Sequence, residues 1–175
     1  MSPKPARPLL AAASAANAAS RLDVHAQASA ATTDQLVTFL LGSLHFGVDV
    51  MNVQEVIRYQ HMTRVPRAPA VVEGLINLRG QIVTAINMRT RVGLAARDAA
   101  HLPMNVVVRS NDGVASLLVD EIGEVVEVAS DRLEPAPPTV IGSLRDLVTG
   151  VYQLRGTLLL KLDVERALTV DARHD

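Results

Sequence analysis

The 175-residue chain has no cysteine and no tryptophan, and only four aromatic side chains: Phe39, Phe46, Tyr59 and Tyr152. Without cysteine there is no disulfide framework, no thiolate nucleophile and no cysteine-ligated zinc site. Four aromatics leave few platforms on which the bases of a single-stranded nucleic acid can stack. A net charge of −1 supplies no overall basic field for a phosphate backbone. Outside the alanine-rich start there is no run of about 18 apolar residues, so no segment reads as a membrane-inserted helix. What the chain does have is 49% hydrophobic residues, mostly Val, Leu, Ile and Ala. In a chain of this length that is enough to close a core without covalent staples.

Residues 1–33 are dominated by Ala and Ser, with prolines at positions 3, 5 and 8. Lys4 and Arg7 ahead of Leu9-Leu10 faintly resemble a signal peptide. Only two large apolar side chains follow before Asn17 and Ser20, which is a poor apolar segment for that purpose. The stretch reads instead as a disordered tail, with too little large apolar surface to offset the entropy of ordering. Residues 34–170 form the folded body, and 171–175 a short C-terminal tail. In the body, aliphatic runs alternate with turn signals and predict four hairpins: 36–48 around Gly42-Ser43, 73–87 around Arg79-Gly80, 105–119 around residues 110–113, and 150–163 around Arg155-Gly156. Short strands with recurring turns favour barrels or a sandwich over a βαβ fold. Only short helices fit: one after Asp49 or Asn52 as its cap, one over 88–93, and one over 164–168 capped by Asp163.

The body repeats itself. Gly74-Leu-Ile-Asn-Leu-Arg-Gly-Gln-Ile-Val matches Gly150-Val-Tyr-Gln-Leu-Arg-Gly-Thr-Leu-Leu 76 residues later, and Val50 to Ile57 matches Val119 to Val126 at an offset of 69. Each half reads as a hairpin, an acidic connector, a proline-containing spacer and a Leu-Arg-Gly hairpin, which implies two similar β subdomains. Gly80 and Gly156 supply the positive φ that closes their hairpins. Pro66-Arg67-Ala68-Pro69 and Pro135-Ala136-Pro137-Pro138 are read as stiff spacers. The expected core is Val37, Phe39, Val48, Ile76, Val83, Ile86, Val107, Leu117, Val119, Leu159 and Leu162.

No catalytic constellation is present. The five histidines are scattered, with no i, i+4 pair and no carboxylate at a ligand spacing. Asp120, Glu121, Glu124 and Glu127 are dense, but they lack the alternating ligands of a cation loop and read as a solvated strand face. A small β-barrel metal-dependent hydrolase built on them is the alternative from a different functional class. No glycine pattern forms a phosphate loop. Neither a cofactor nor a metal is expected. The charge, however, is unevenly distributed. Seven arginines and one acid lie between Arg58 and Arg97, and seven acids and one Arg between Asp112 and Glu134. Such a chain suits docking on complementary partners, where charge sets specificity and on-rate.

Val50-Met51-Asn52-Val53-Gln54-Glu55-Val56-Ile57, the P-x-A-P spacer at 66–69, and Gly74-x-x-Asn77-Leu78-Arg79-Gly80 with its following aliphatic strand together resemble the CheW family of chemotaxis adaptors. The likeness covers about residues 35 to 170, and Val119-Asp120 with Ile122-Gly-Glu-Val fits the family's second half. One departure is Asn87, where the family usually has Asp; the expectation is that a charge or cap is lost at the next helix. The resemblance implies a mainly β fold of two intertwined five-stranded SH3-like barrels with a core between them. It implies a cytoplasmic, non-enzymatic scaffold at the membrane-associated receptor array, which binds the cytoplasmic tip of methyl-accepting chemotaxis receptors and the regulatory domain of a CheA-type histidine kinase, with other CheW copies as further partners. An adaptor of another chemosensory pathway, such as type IV pilus motility, is the nearest alternative. The body takes up the chain, which leaves no room for a fused receiver domain. By motif position, Val53, Glu55, Arg79, Gly80 and Ile82 are the expected receptor contacts, in a groove between the barrels. Leu41 and Leu44, on exposed barrel ends, are the expected kinase contacts. For Arg79, a salt bridge to Glu55 tying hairpin to connector stands beside the partner role. For Glu55 the competing reading is a solvated helix residue.

Overall fold

A computed structural model describes residues 32–170. The expected tails at 1–33 and 171–175 therefore lie outside the described residues, apart from Thr32 and Thr33. The hairpins appear where the turn signals place them: β1 (Thr33–Leu41) with β2 (Leu44–Asp49), β4 (Val72–Leu78) with β5 (Gln81–Asn87), β6 (Met104–Ser110) with β7 (Gly113–Val119), and β9 (Val148–Leu154) with β10 (Thr157–Leu162). Two single strands, β3 (Val53–Ile57) and β8 (Glu121–Ala129), lie between them, with short helices α1 (Met88–Arg91), α2 (Ser143–Leu147) and α3 (Val164–Leu168).

The strands form two five-stranded sheets, ordered β8-β1-β2-β10-β9 and β3-β6-β7-β5-β4. These are the two barrel subdomains. Under the sequence repeat β3 corresponds to β8, β4–β5 to β9–β10 and β6–β7 to β1–β2, so the two orders are the same order. The halves of the repeat are not themselves the barrels. Each barrel takes its hairpin from one half and three strands from the other, which is what intertwines them. The halves meet at four pairings: the parallel β2 with β10 and β5 with β7, and the antiparallel β1 with β8 and β3 with β6. Among the described residues the chain passes between sheets twice, at Val50–Asn52 and at Asp120.

Three apolar clusters arise from this interleaving. The largest lies between the sheets and includes Phe39, Phe46, Ile86, Val106, Leu117, Leu160 and Leu162. The Phe39 and Phe46 rings stack there with centroids 5.4 Å apart. Smaller clusters fill the barrels, Ile76, Val83, Ala85 and Leu118 in one and Leu36, Tyr152 and Leu159 in the other. All eleven residues expected in the core are buried.

Local chemistry sets the ends of the elements. Of the two candidate caps after β2, Asp49 is the one used: its Oδ1 accepts from the Met51 amide at 2.9 Å. The capped segment is a single 3-10 turn, Val50–Asn52, and not a helix. The β-branched run after it pairs with β6 instead. Glu55 is accordingly a strand residue, which corrects the helix reading. Asn87 keeps the cap that its departure from Asp was expected to remove. Its Oδ1 accepts from the Thr90 amide at 3.2 Å, as Asp163 Oδ1 accepts from Arg166 in α3. The Asn87 Nδ2 donates to Glu73 Oε2 at 2.9 Å, a bond that a carboxylate at this position cannot donate.

At the start of β1, Asp34 accepts from Lys161 Nζ, from Ser130 Oγ at 2.6 Å and from the Tyr152 hydroxyl at 2.7 Å. The Lys161 bond, followed by those from Ser130 and Tyr152, lowers the Asp34 pKa to about 2. Burial, and then the bond to Asp34, push the Tyr152 hydroxyl well above its ordinary range. Unfolded, Asp34 takes up its proton near 3.8; folded, it holds out to about 2. The unfolded chain thus binds the proton first, and stability present above pH 4 is lost as pH falls toward 2. The expected contribution is about 2 kcal/mol. Urea unfolding of Asp34→Asn between pH 5 and 2 should show a flatter acid limb than the wild type. Parallel curves would show that Asp34 carries no such linkage.

Candidate partner-docking site

The Arg79-Gly80 link between β4 and β5 has positive φ at both residues, 51° and 89°. That combination gives a two-residue turn whose twist matches the strands. At Gly80 the conformation costs nothing; at Arg79 it costs about 1 kcal/mol, because a Cβ crowds the backbone there. The Gly80 amide donates to Asn77 Oδ1 at 2.8 Å and supports the turn. The Arg79 side chain is 84% exposed, yet its Nη2 reaches Glu55 Oε2 at 3.0 Å. Glu55 is half-buried on β3, and the pair lines a pocket of about 200 Å³ with Ile57, Gln60, Asn77 and Leu78. A pair this exposed adds little to stability. A strained backbone and an extended guanidinium are thus held at a tip where the fold gains almost nothing from them.

β5 carries the surface away from this tip. Side chains alternate along a strand, so Val83 and Ala85 fill the barrel while Ile82, Thr84 and Ile86 share the other face. Ile82 is 61% exposed and Ile86 joins the core between the sheets. Between them Thr84 and Ile86 floor an apolar groove of about 420 Å³. Its sides are Pro69, Val72 and Val114 of one barrel, and Leu168 and Val170, which come after β10 of the other.

The carboxylates of 120–127 do not converge. Glu121, Glu124 and Glu127 are exposed on β8, and no cluster of three or more metal-ligating side chains occurs among the described residues. Asp120 departs from the solvated reading. Its oxygens accept from the Gly42 amide at 2.7 Å, from Arg89 Nη1 at 2.5 Å and from Arg97 Nε at 2.9 Å, with its side chain 16% exposed. Burial alone raises its pKa, but the Gly42 amide and the two guanidinium groups outweigh that and hold the carboxyl below its ordinary range. Of the seven clustered arginines, 79, 89 and 97 are ion-paired and Arg91 donates to backbone carbonyls. Arg58, Arg64 and Arg67, exposed on the spacer between β3 and β4, have no ion pair among the described residues.

This architecture, with a Leu-Arg-Gly tip salt-bridged to the V-x-E-V strand, coincides with a match of residues 35–172 to the CheW-like domain. The chain belongs to the CheW-like family. It is 32% identical over 138 residues to the chemotaxis protein CheW of Treponema pallidum, covering 75% of this chain and 80% of that protein. It is 29% identical to the Klebsiella aerogenes chemotaxis protein CheW, with 77% and 81% covered. The crystal structure of the scaffolding protein TtCheW from Thermoanaerobacter tengcongensis superposes with a TM-score of 0.73 at 26% identity, covering 81% of this chain and 97% of that one.

Within the CheW-like fold, Glu55, Arg79 and Gly80 come together at one tip, and Ile82 stands two residues beyond it. Val53 packs half-buried against the central core, and the register shift between it and Glu55 sets Val53 opposite Val108 and Glu55 opposite Val107. Leu44 is half-buried there too. Leu41 is corrected: it is 0% exposed in the central core and presents nothing to a partner. The β1 pattern carries it inward with Phe39, because its face and not the hairpin end decides its burial. Sequence reasoning missed Leu168, Val170 and Asp120. For the first two the only signal was the helix capped by Asp163, and nothing local says that its end faces β5 and β7.

Proposed function

We propose that this CheW-like chain is a non-enzymatic adaptor that couples methyl-accepting chemoreceptors to a CheA-type histidine kinase. The observation that carries the reading is the Arg79–Glu55 pair, with a strained, exposed guanidinium beside an apolar β5 face that leads into a groove between the barrels. A groove of aliphatic side chains accepts the apolar face of a helix, so it suits a receptor's helical tip. The guanidinium is placed to fork onto a partner carboxylate. Val53, Glu55, Gly80 and Ile82 surround that contact, while Leu44 belongs to a separate kinase-facing end. The unpaired Arg58, Arg64 and Arg67 favour association with acidic surfaces. No helix among the described residues is long and apolar enough to cross a membrane, and the proposed location is cytoplasmic, at the receptor array. Residues 34–170 form the working domain.

A pull-down of the full chain with a receptor signalling fragment and with the kinase regulatory domain tests the reading. Retention by both supports it, and binding to neither by the folded protein sinks it. Arg79→Glu should weaken receptor-fragment binding at least tenfold while shifting unfolding free energy by less than about 1 kcal/mol. Arg79→Gly should leave the fold as stable or more so, because glycine relieves the positive φ, yet lose the same affinity. A large stability loss in both variants would make the residue structural.

A further inference from the structure

The two walls of the groove come from different parts of the chain: α3 follows β10, yet packs on β6 of the other sheet. The floor and near side come from β5, β7 and the start of β4; the far side is Leu168 and Val170, at and beyond the end of α3. A five-residue helix satisfies few of its own last carbonyls, so something else must hold this wall. Arg91 does so from α1. Its Nη2 donates to the Arg166 and Thr169 carbonyls, each at 2.8 Å, and its Nε to the Ala167 carbonyl at 3.2 Å. These three acceptors bracket Leu168. A second tie comes from Glu165, whose Oε1 accepts from the Asn111 amide at 2.9 Å. Asn111 sits in the β6–β7 turn, whose neighbours Ser110, Asp112 and Gly113 line the groove.

We propose that Arg91 and Glu165 are positioning residues that set the width of the groove, by clamping α3 and its end to α1 and to the β6–β7 turn. The inference rests on the reading of the groove as the seat of a receptor's helical tip. The three carbonyls are served from two separate nitrogens of one planar guanidinium; a lysine ammonium also has three N–H donors, but all radiate from a single nitrogen and do not reproduce that fork. Helix packing is sensitive to sub-ångström shifts of its walls, so a loosened α3 end lowers affinity without removing any contact residue.

The test is calorimetric titration of the full chain with two probes, a soluble receptor signalling-tip fragment and the kinase regulatory domain. Arg91→Ala should weaken fragment binding at least tenfold, Arg91→Lys by an intermediate factor and Glu165→Ala about threefold. Kinase-domain affinity should stay within twofold in all three. Backbone amides of residues 166–170 should exchange hydrogen faster in Arg91→Ala. If Arg91→Ala does not fold, Arg91→Lys and Glu165→Ala carry the same comparison. Fragment affinity within twofold of wild type in the Arg91 variants overturns the proposal, as does a parallel fall in both affinities, which marks a general structural role. A wild-type chain that binds no fragment fails the adaptor reading itself, whereas wild-type binding with unaffected variants fails only the clamp.

Discussion

Gly150→Ala is expected to lower the unfolding free energy by about 3 kcal/mol, the cost of forcing a Cβ into a packed site together with the loss of flanking backbone bonds. A Cβ at Gly150 would stand 2.7 Å from the Glu134 carbonyl oxygen and 2.9 Å from two carbons of Leu133. The spacer backbone approaches so closely because Glu134 and Val151 exchange two hydrogen bonds of 2.8 and 2.9 Å. The other barrel repeats the device. Thr63 and Leu75 exchange bonds of 2.8 and 2.9 Å, and a Cβ at Gly74 would stand 2.7 Å from the Thr63 carbonyl oxygen. In each barrel the proline-containing spacer thus adds a short bridge to an edge strand, and glycine is the residue that admits it. Gly156→Ala is the control, because its site is open space and only its φ of 75° opposes a side chain. It should cost about 1 kcal/mol. Guanidinium-induced unfolding of the two variants separates close approach from backbone freedom; equal losses would refute the bridge as the reason for Gly150.

Asp120→Ala should cost about 3–5 kcal/mol, the range for removing one partner from a buried charge pair. The carboxylate occupies one of the two places where the chain passes between barrels, and it gathers donors from both. Gly42 lies in the β1–β2 turn of one sheet, while Arg89 and Arg97 come after β5 of the other. Without it two largely buried guanidinium groups and a backbone amide lose their acceptor. Asp120→Asn retains one carbonyl oxygen and should lose less. Chemical denaturation of Asp120→Ala, Arg89→Ala and the double variant gives the coupling directly. A cost below about 1 kcal/mol for Asp120→Ala would mean that the group behaves as a surface charge.

Much of the fold was readable because its determinants are local. Arg79-Gly80 and Arg155-Gly156 marked hairpins by backbone chemistry, Asp163 marked the start of α3, and alternating aliphatics placed Ile76 and Val83 inside. The Leu-Arg-Gly motif marked Arg79 at a hairpin tip with a salt bridge to Glu55 as one reading; the structure contains that bridge and adds the strained turn. Readings failed where an outcome depends on what lies across the fold. Leu41 looked like an exposed hairpin end until the second sheet closed over it. Asp120 looked like one acid in a solvated run, and became the common acceptor of residues 23 to 78 positions away. Glu55 reads as a helix residue behind Asp49 and Asn52, and only the pairing with β6 makes it a strand residue.

Composition, turn chemistry and the 69- and 76-residue repeats determined on their own that this is an aliphatic, mainly β body made of two similar sets of strands. Those properties arise from the conformational preferences of neighbouring residues and from strand periodicity, both carried within a few positions. Which set builds which barrel was decided only in three dimensions. The repeat is compatible with two self-contained subdomains; the exchange of hairpins wins because it places both Phe rings and the largest apolar cluster between the sheets. That exchange also brings the end of α3 opposite β5 and β7, and Arg91 within reach of its carbonyls, so the groove exists only as a product of long-range packing.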